Sequence, residues 1–260
     1  MEAMMSDPIR ASGIMHRIRC SEVWGGIRNI NLDISTSGLT ISLYSSACDG
    51  GKGGDIYYFS VCESDRLTRI ALADVVGHGE AVSHVSQWIY DALVERMNSL
   101  DGNEILHELN GLANGHELEA MTTAAIIGFY IGDSNLYFSY AGHPPLLVRQ
   151  RDEKGWRAVP LAARAEPANL PLGIMNDVFY DQEQLPLSVG DRLILYTDGV
   201  IEMQDGSGDL FGSHRLLAVL EQMGNGSLAD VKNTVLAALR QHAGGSLRHD
   251  DVTLMLIEVC

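Results

Sequence analysis

The chain has 260 residues, 46% hydrophobic and 20% charged, which is ordinary for a globular protein and excludes disorder or a collagen-like repeat. Thirty-four acidic residues against eighteen basic ones leave a formal net charge of −16. Such a surface repels nucleic-acid backbones and anionic lipid heads unless a basic patch intervenes. None is visible: there are three lysines (Lys52, Lys154, Lys232), and the remaining fifteen basic residues are scattered arginines. Cys20, Cys48, Cys62 and Cys260 show no CxxC spacing, which argues against a zinc knuckle or disulfide framework and fits a reducing compartment. The N-terminus lacks the apolar stretch of a secretory signal, and no window approaches a membrane span. The expectation is a soluble cytoplasmic protein with neither nucleic acid nor membrane as partner.

Along the chain, residues 1–36 are weakly patterned and read as a tail or short regulatory lead-in to a domain over 37–260. Strands are expected at Leu39–Tyr44, Ile56–Val61 and Leu67–Val75, which are apolar runs bounded by Gly, Asp or Ser. Val82, Val85, Ile89 and Leu93 recur at helical spacing and predict a helix from about Glu80 to Asn98. Asp101-Gly102 ends it, and Ile105, Leu106 and Leu109 predict a second, antiparallel helix. Strands return at Thr122–Ile131, Leu136–Ala141 and Pro145–Val148, then Gln150–Leu170 reads as a long surface loop. Leu193–Tyr196 is a short buried strand, Leu228, Val231, Val235 and Leu239 mark a last amphipathic helix, and Val252–Val259 closes the chain. Strands and helices in segregated blocks predict an α+β fold with antiparallel sheets rather than a doubly wound parallel sheet.

Dinucleotide and P-loop fingerprints are absent, as are GxSxG and HExxH, so the chemistry must come from carboxylates. Aspartates stand where apolar strands meet turns. Asp55 follows a glycine run, Asp74 ends the strand 67–73, Asp198 ends 193–197 before Gly199, and Asp250-Asp251 open the last strand. Each alone reads as a turn residue. Asp205–Asp209 lacks the Gly and Glu of a calcium loop, and GGDIY departs from the diguanylate cyclase signature, so neither is adopted.

In their order and with their flanks, these aspartates carry a resemblance. The matching text is GGDIYYF at 53–59, ALADVVGHGEAV at 71–82, MTTAAIIGFY at 121–130, YAGHPPLLV at 140–148, LPLGI at 170–174, GDRLILYTDGVIE at 190–202, LFG at 210–212 and DDVTLMLIEV at 250–259. It resembles the metal-dependent PPM-type (protein phosphatase 2C-like) serine/threonine phosphatases, nearest the bacterial branch of the SpoIIE sporulation phosphatase and the sigma-factor regulatory phosphatases. The resemblance implies two packed antiparallel β-sheets flanked by helices on both outer faces, with two Mn²⁺ or Mg²⁺ ions at one end.

It further implies that Asp74 bridges both metals, that Asp55 serves the second one, and that Val75 lends its backbone carbonyl. Asp198 and Asp250 match the remaining ligands of the first metal, with Asp251 as the alternative to Asp250. Hard divalent ions prefer such oxygen donors, and two of them can lower the pKa of a shared water from ~15.7 toward neutrality. The resulting hydroxide would attack phosphorus in line, which agrees with the missing Ser or Cys nucleophile. Two basic residues are candidates for catalysis: Lys52 for holding phosphate, or else a solvated turn residue, and His78 as general acid, at a spacing from Asp74 that differs from the family's. His143 is expected to order a loop, and Tyr58 replaces an aspartate common in bacterial members.

The implied substrate is a phosphoserine or phosphothreonine protein, within this branch a STAS-domain antagonist of an anti-sigma factor. Regulatory input would come through residues 1–36, the helical pair 80–114, or another protein. Two alternatives stay open: a non-catalytic phosphoprotein-binding module of the same fold, and a phosphatase of small metabolites, which a deep enclosed pocket would favour.

Overall fold

The computed structural model of the chain describes residues 15–62, 64–97, 99–115, 121–153, 155–162 and 168–260. Among the described residues, thirteen strands form two sheets. The first carries β1 (Met15–Arg17), β3 (Ile30–Ser35), β4 (Leu39–Ser46), β13 (Val252–Val259), β12 (Arg192–Tyr196), β9 (Leu147–Arg149) and β10 (Arg157–Ala158), in that spatial order. The second runs β11 (Glu183–Pro186), β8 (Asn135–Ala141), β7 (Thr122–Tyr130), β6 (Leu67–Val75), β5 (Lys52–Cys62), β2 (Val23–Arg28). Pairings between these strands are antiparallel except that of β1 with β3.

Side-chain alternation turns these sheets into layers. On β6, Ile70 and Leu72 face the other sheet, whereas Ala71, Ala73 and Val75 face outward under helices. On β13, Met255 and Ile257 point inward, and Leu254 and Leu256 point out. Both faces of the central strands are therefore buried, which explains why they read as continuous apolar runs. Helices α1 (Ser83–Arg96) and α2 (Gly102–Gly115) cover the second sheet, while α4 (Gly212–Met223) and α5 (Leu228–His242) cover the first. The four layers, helix, sheet, sheet, helix, are those the resemblance implies.

Three readings of the chain need correction. Residues 15–35, taken as lead-in, supply β1, β2 and β3, while residues 1–14 lie outside the described residues. Their pattern was hidden because Gly25 and Gly26 occupy β2 and polar Asn31 and Asp33 occupy β3. A Cβ on Gly25 would stand 2.2 Å from the Tyr57 carbonyl oxygen, so close strand approach requires that glycine. The polar pair on β3 meets a buried cation: Lys232 Nζ donates to Asn31 Oδ1 at 2.7 Å and lies 3.6 Å from Asp33 Oδ1. The loop assigned to 150–170 contains β10 and the buried Trp156 and Val159, and residues 163–167 lie outside the described residues. Finally, α4 and the short α3 (Asp198–Ile201) are additional helices. The predicted helix from Glu80 begins as a 3₁₀ turn at Gly79–Ala81 before α1, and Asn98 lies outside the described residues.

Lys232 fastens α5 to β3 and β4. Lys232→Ala strands a partly buried carboxylate, so urea unfolding should show a loss of about 2–4 kcal/mol. The double variant Lys232→Met/Asp33→Asn should recover most of it.

Candidate metal centre

Alternation and register aim the aspartates at one end of the space between the sheets. Asp55 and Asp74 are direct partners across the β5–β6 ladder. Each continues the inward-facing series of its strand, Tyr57 and Phe59 on β5, Leu72 and Ile70 on β6. Burial is nearly complete, with 3% of Asp55 and 8% of Asp74 exposed. Across the gap, Thr197 at the end of β12 donates from Oγ1 to Asp55 Oδ2 at 2.9 Å. Asp198, the first residue of α3, follows directly. Thr253 sends its single hydroxyl proton to Ser45 Oγ at 2.8 Å, and Asp55 Oδ1 has no hydrogen-bond partner among the described residues.

Asp198 and Asp250 meet through a close backbone crossing. A Cβ on Gly199 would fall 2.0 Å from the Asp251 carbonyl oxygen and 3.4 Å from Asp250 Cβ, so only glycine fits after Asp198. Both aspartates are half-exposed, and the site therefore opens to the surface there. On the β5 side, a Cβ on Gly54 would stand 2.8 Å from the carbonyl oxygen of Val75, and one on Gly53 would stand 2.7 Å from Asp251 Oδ2. The glycine run before Asp55 thus makes room for the neighbouring acids and for that carbonyl.

Asp251 has a different task. Its Oδ1 accepts from the Cys48 amide at 2.8 Å, and its Oδ2 accepts from the Gly54 amide at 2.5 Å and the Gly79 amide at 3.1 Å. With 2% exposure its lone pairs are taken by backbone, whereas Asp250 spends only Oδ1, on the Asp251 amide at 2.8 Å. His78 is exposed, with Nδ1 3.2 Å from Cys48 Sγ. Lys52 opens β5 opposite Arg28. Tyr58 is fully buried on the face of β5 turned toward α1, where its ring tilts against Tyr90, so an acid at 58 would face a helix. His143 is buried, with Nδ1 3.0 Å from Thr123 Oγ1, and burial pushes its pKa down to about 3. It is a neutral brace between β7 and the loop after β8. In the sequence, His143 is expected to order a loop and Asp251 is the alternative to Asp250 as a metal ligand, whereas the bracing by Thr197 and Thr123 is present only as flanking text.

The acids hold one another in strained company. Burial first, then the charge of Asp251 and Asp198, raises Asp55 to about 8. Asp74 is raised well above the carboxylate range by burial and by Asp55, Asp198 and Asp250. Asp250 is raised to about 6, burial leading and its bond from the Asp251 amide opposing. Like charges crowded at a buried site are destabilising unless a proton or a cation neutralises them. Among the described residues, no three His, Cys, Asp or Glu side chains already surround one point at ligand distance. The fit to a metal rests instead on the oxygen-only donor set, the unpartnered buried Asp55 Oδ1 and the mutual charge, all of which suit hard divalent cations.

Two outcomes follow for the metal-free protein. Asp251→Asn, which disturbs three buried amide bonds, should cost about 2–4 kcal/mol, whereas Asp250→Asn, which relieves repulsion, should be neutral or stabilising. Thermal unfolding in EDTA checks both. Acids whose folded pKa lies above the unfolded value of about 4 keep protons that unfolding releases, so stability grows as pH falls. In EDTA the melting temperature should rise from about pH 8.5 to 6.5, and Asp55→Asn should flatten that slope. Below about 6.5 His143 works the other way, because the unfolded chain takes up a proton that the fold refuses.

Residues 64–260, about three quarters of the chain, match the family model described as Stage II sporulation protein E (SpoIIE). Two curated relatives from Bacillus subtilis are each 26% identical. Phosphoserine phosphatase RsbP aligns over 79% of this chain and 49% of its own length, and phosphoserine phosphatase RsbU over 78% and 58%. The chain therefore spans about half the length of these relatives. Among solved structures, the SiaA-PP2C domain of Pseudomonas aeruginosa superposes with a TM-score of 0.71, with 22% identity over 84% of this chain and 85% of that one. With its sandwich architecture and its matched sequence in agreement, the chain belongs to the SpoIIE family of PP2C-type phosphatase domains.

Proposed function

We propose that the chain hydrolyses phosphoserine or phosphothreonine monoesters on a protein, using two divalent metal ions, Mn²⁺ or Mg²⁺. The observation that carries this reading is the cluster of Asp55, Asp74, Asp198 and Asp250 at the open end of the sandwich, oxygen donors whose crowding pushes Asp55, Asp74 and Asp250 above the usual carboxylate range. Asp74, opposite Asp55 in the ladder and raised by the charge of the other three, would be the residue shared by both ions. Asp55 and the Val75 carbonyl would complete one side, Asp198 and Asp250 the other. Asp251 would hold the loops rather than an ion.

When bound, the metals would offset the charge of the phosphate against this acidic chain and supply water as the nucleophile at neutral pH. The residues then have simple tasks. The aspartates orient that water in line, Thr197 keeps Asp55 turned into the site, and Gly199 lets Asp198 and Asp250 approach. Water adds to phosphorus, the bond to the serine or threonine oxygen breaks, and that oxygen needs a proton. Exposed His78, within electrostatic reach of Asp250, would donate it. Lys52, on the strand leading to Asp55, could steady a phosphate oxygen but makes no hydrogen bond or ion pair with the acids. A cysteine mechanism is disfavoured because burial and neighbouring acids push the Cys48 thiol up to about 11, so it stays protonated.

The open rim, with half-exposed Asp198 and Asp250 and the exposed Val76, suits a protein substrate better than a small metabolite. The relatives' names, phosphoserine phosphatases RsbP and RsbU, support a phosphoprotein. The resemblance to the sigma-factor regulatory branch supports a phosphorylated STAS-domain antagonist, and hence action in the cytoplasm. No described helix is long and apolar enough to cross a membrane.

Hydrolysis of p-nitrophenyl phosphate provides the test. Turnover should require Mn²⁺ or Mg²⁺, vanish in EDTA, and fall by roughly 10²–10³-fold or more in Asp74→Asn. Undiminished turnover in EDTA would overturn the mechanism.

A further inference from the structure

Beside the acidic site lies a second feature of opposite sign. A cavity of about 340 Å³ sits between the loop 47–50 and the segment 245–248, and it is lined by Arg240, Arg248, Asn29, Tyr44, Ser46 and Asp49 among others. Arg248 precedes Asp250 by two residues, and the opposite wall carries Cys48, whose amide binds Asp251. The cavity therefore shares its walls with the candidate metal centre.

Its cations are unspent. Arg96, Arg157 and Arg192 pair with glutamates, and Arg66 and Arg149 lie over aromatic rings. Arg240 and Arg248 have neither kind of partner among the described residues. The acid in the lining does not serve them, because Asp49 turns its Oδ1 to the Gly51 amide and its Oδ2 to the Glu80 amide. A charge at the last turn of α5 accounts for Arg240 as a helix-end cation, but not for Arg248 on the loop beyond. The floor is also prepared: Asn29 accepts from the Ala47 amide at 2.7 Å and donates to the Gly50 carbonyl at 3.3 Å, while Lys232 anchors the helix that carries Arg240.

We propose that this cavity binds an anionic side chain of the substrate protein, a carboxylate or a second phosphate flanking the scissile phosphoserine, gripped by Arg240 and Arg248. The proposal rests on the phosphatase reading and adds sequence preference to it. On a chain of charge −16, two unpaired guanidiniums beside the reaction centre are the local exception that would draw an acidic segment in and set its register.

The experiment uses phosphoserine peptides carrying Glu, phosphoserine, Lys or Gln at each of the four positions on either side of the scissile residue. Steady-state kinetics with Mn²⁺ should show at least one position where Glu lowers KM about tenfold relative to Gln, at similar kcat, and the phosphoserine arm tells carboxylate from phosphate. In Arg240→Gln/Arg248→Gln that preference should disappear while p-nitrophenyl phosphate turnover is unchanged. In Arg240→Glu/Arg248→Glu it should reverse toward Lys-containing peptides, which damage to folding could not produce. Equal KM for Glu and Gln at every position, or a double Gln variant that loses p-nitrophenyl phosphate turnover in parallel, would overturn the proposal. If the wild-type protein leaves p-nitrophenyl phosphate intact, the phosphatase reading fails by itself. Fluorescence anisotropy of the same labelled peptides in EDTA then still decides the cavity: tighter binding of the Glu peptide, lost in the double Gln variant, supports it, and equal affinity sinks it.

Discussion

One carboxylate ties the structure together where it matters most. Asp251 stands at the start of β13 in the first sheet and accepts amides from the loop after β4, from β5 in the second sheet, and from the turn after β6. Three segments drawn from both sheets are thereby pinned to one buried charge. The glycines at 53, 54 and 199 are the complement of that knot, since a side chain at any of them would collide with Asp251 or with the Val75 carbonyl. A buried charge fully satisfied by backbone donors is a stable element, unlike one left with a single weak partner.

Next to this satisfied acid sit Asp55, Asp74 and Asp250, each pushed above the usual carboxylate range by burial and neighbouring acids. Their burial and mutual repulsion work against folding, and the rest of the molecule offsets that cost with a continuous core between the sheets and two more beneath the helices. Asp55, pushed up to about 8, keeps its proton at neutral pH until a cation takes the proton's place. The same cluster therefore disfavours the bare fold and favours cation binding, a familiar division between stability and activity. The net charge of the chain sharpens the point: on a surface of charge −16, an anionic group is repelled except near a local cation.

Much of the core was legible because its strands are buried on both faces. Runs such as Leu67–Val75 and Val252–Val259 match their observed bounds because largely apolar residues with aspartate at one end leave little choice. β2 and β3 were missed for an equally physical reason. Their glycines and polar residues are explained only by distant partners, the Tyr57 carbonyl for Gly25 and Lys232 for Asn31 and Asp33. α4 was missed although its apolar face buries Leu216 and Leu220, because no side-chain cap announces its start.

The candidate site divides along the same line. The order of the aspartates, their glycine neighbours and their places at strand ends are properties of the sequence by itself, because strand termini and close backbone approaches demand those residue types locally. Which of two adjacent acids faces the cleft is not a local property. Asp250 and Asp251 are indistinguishable as text, and only tertiary structure, by bringing the amides of Cys48, Gly54 and Gly79 onto Asp251, separates the one that braces from the one that stays available. The convergence of Arg240 and Arg248 is likewise invisible along the chain, since it arises from packing a helix end against a loop that approaches from the opposite strand connection.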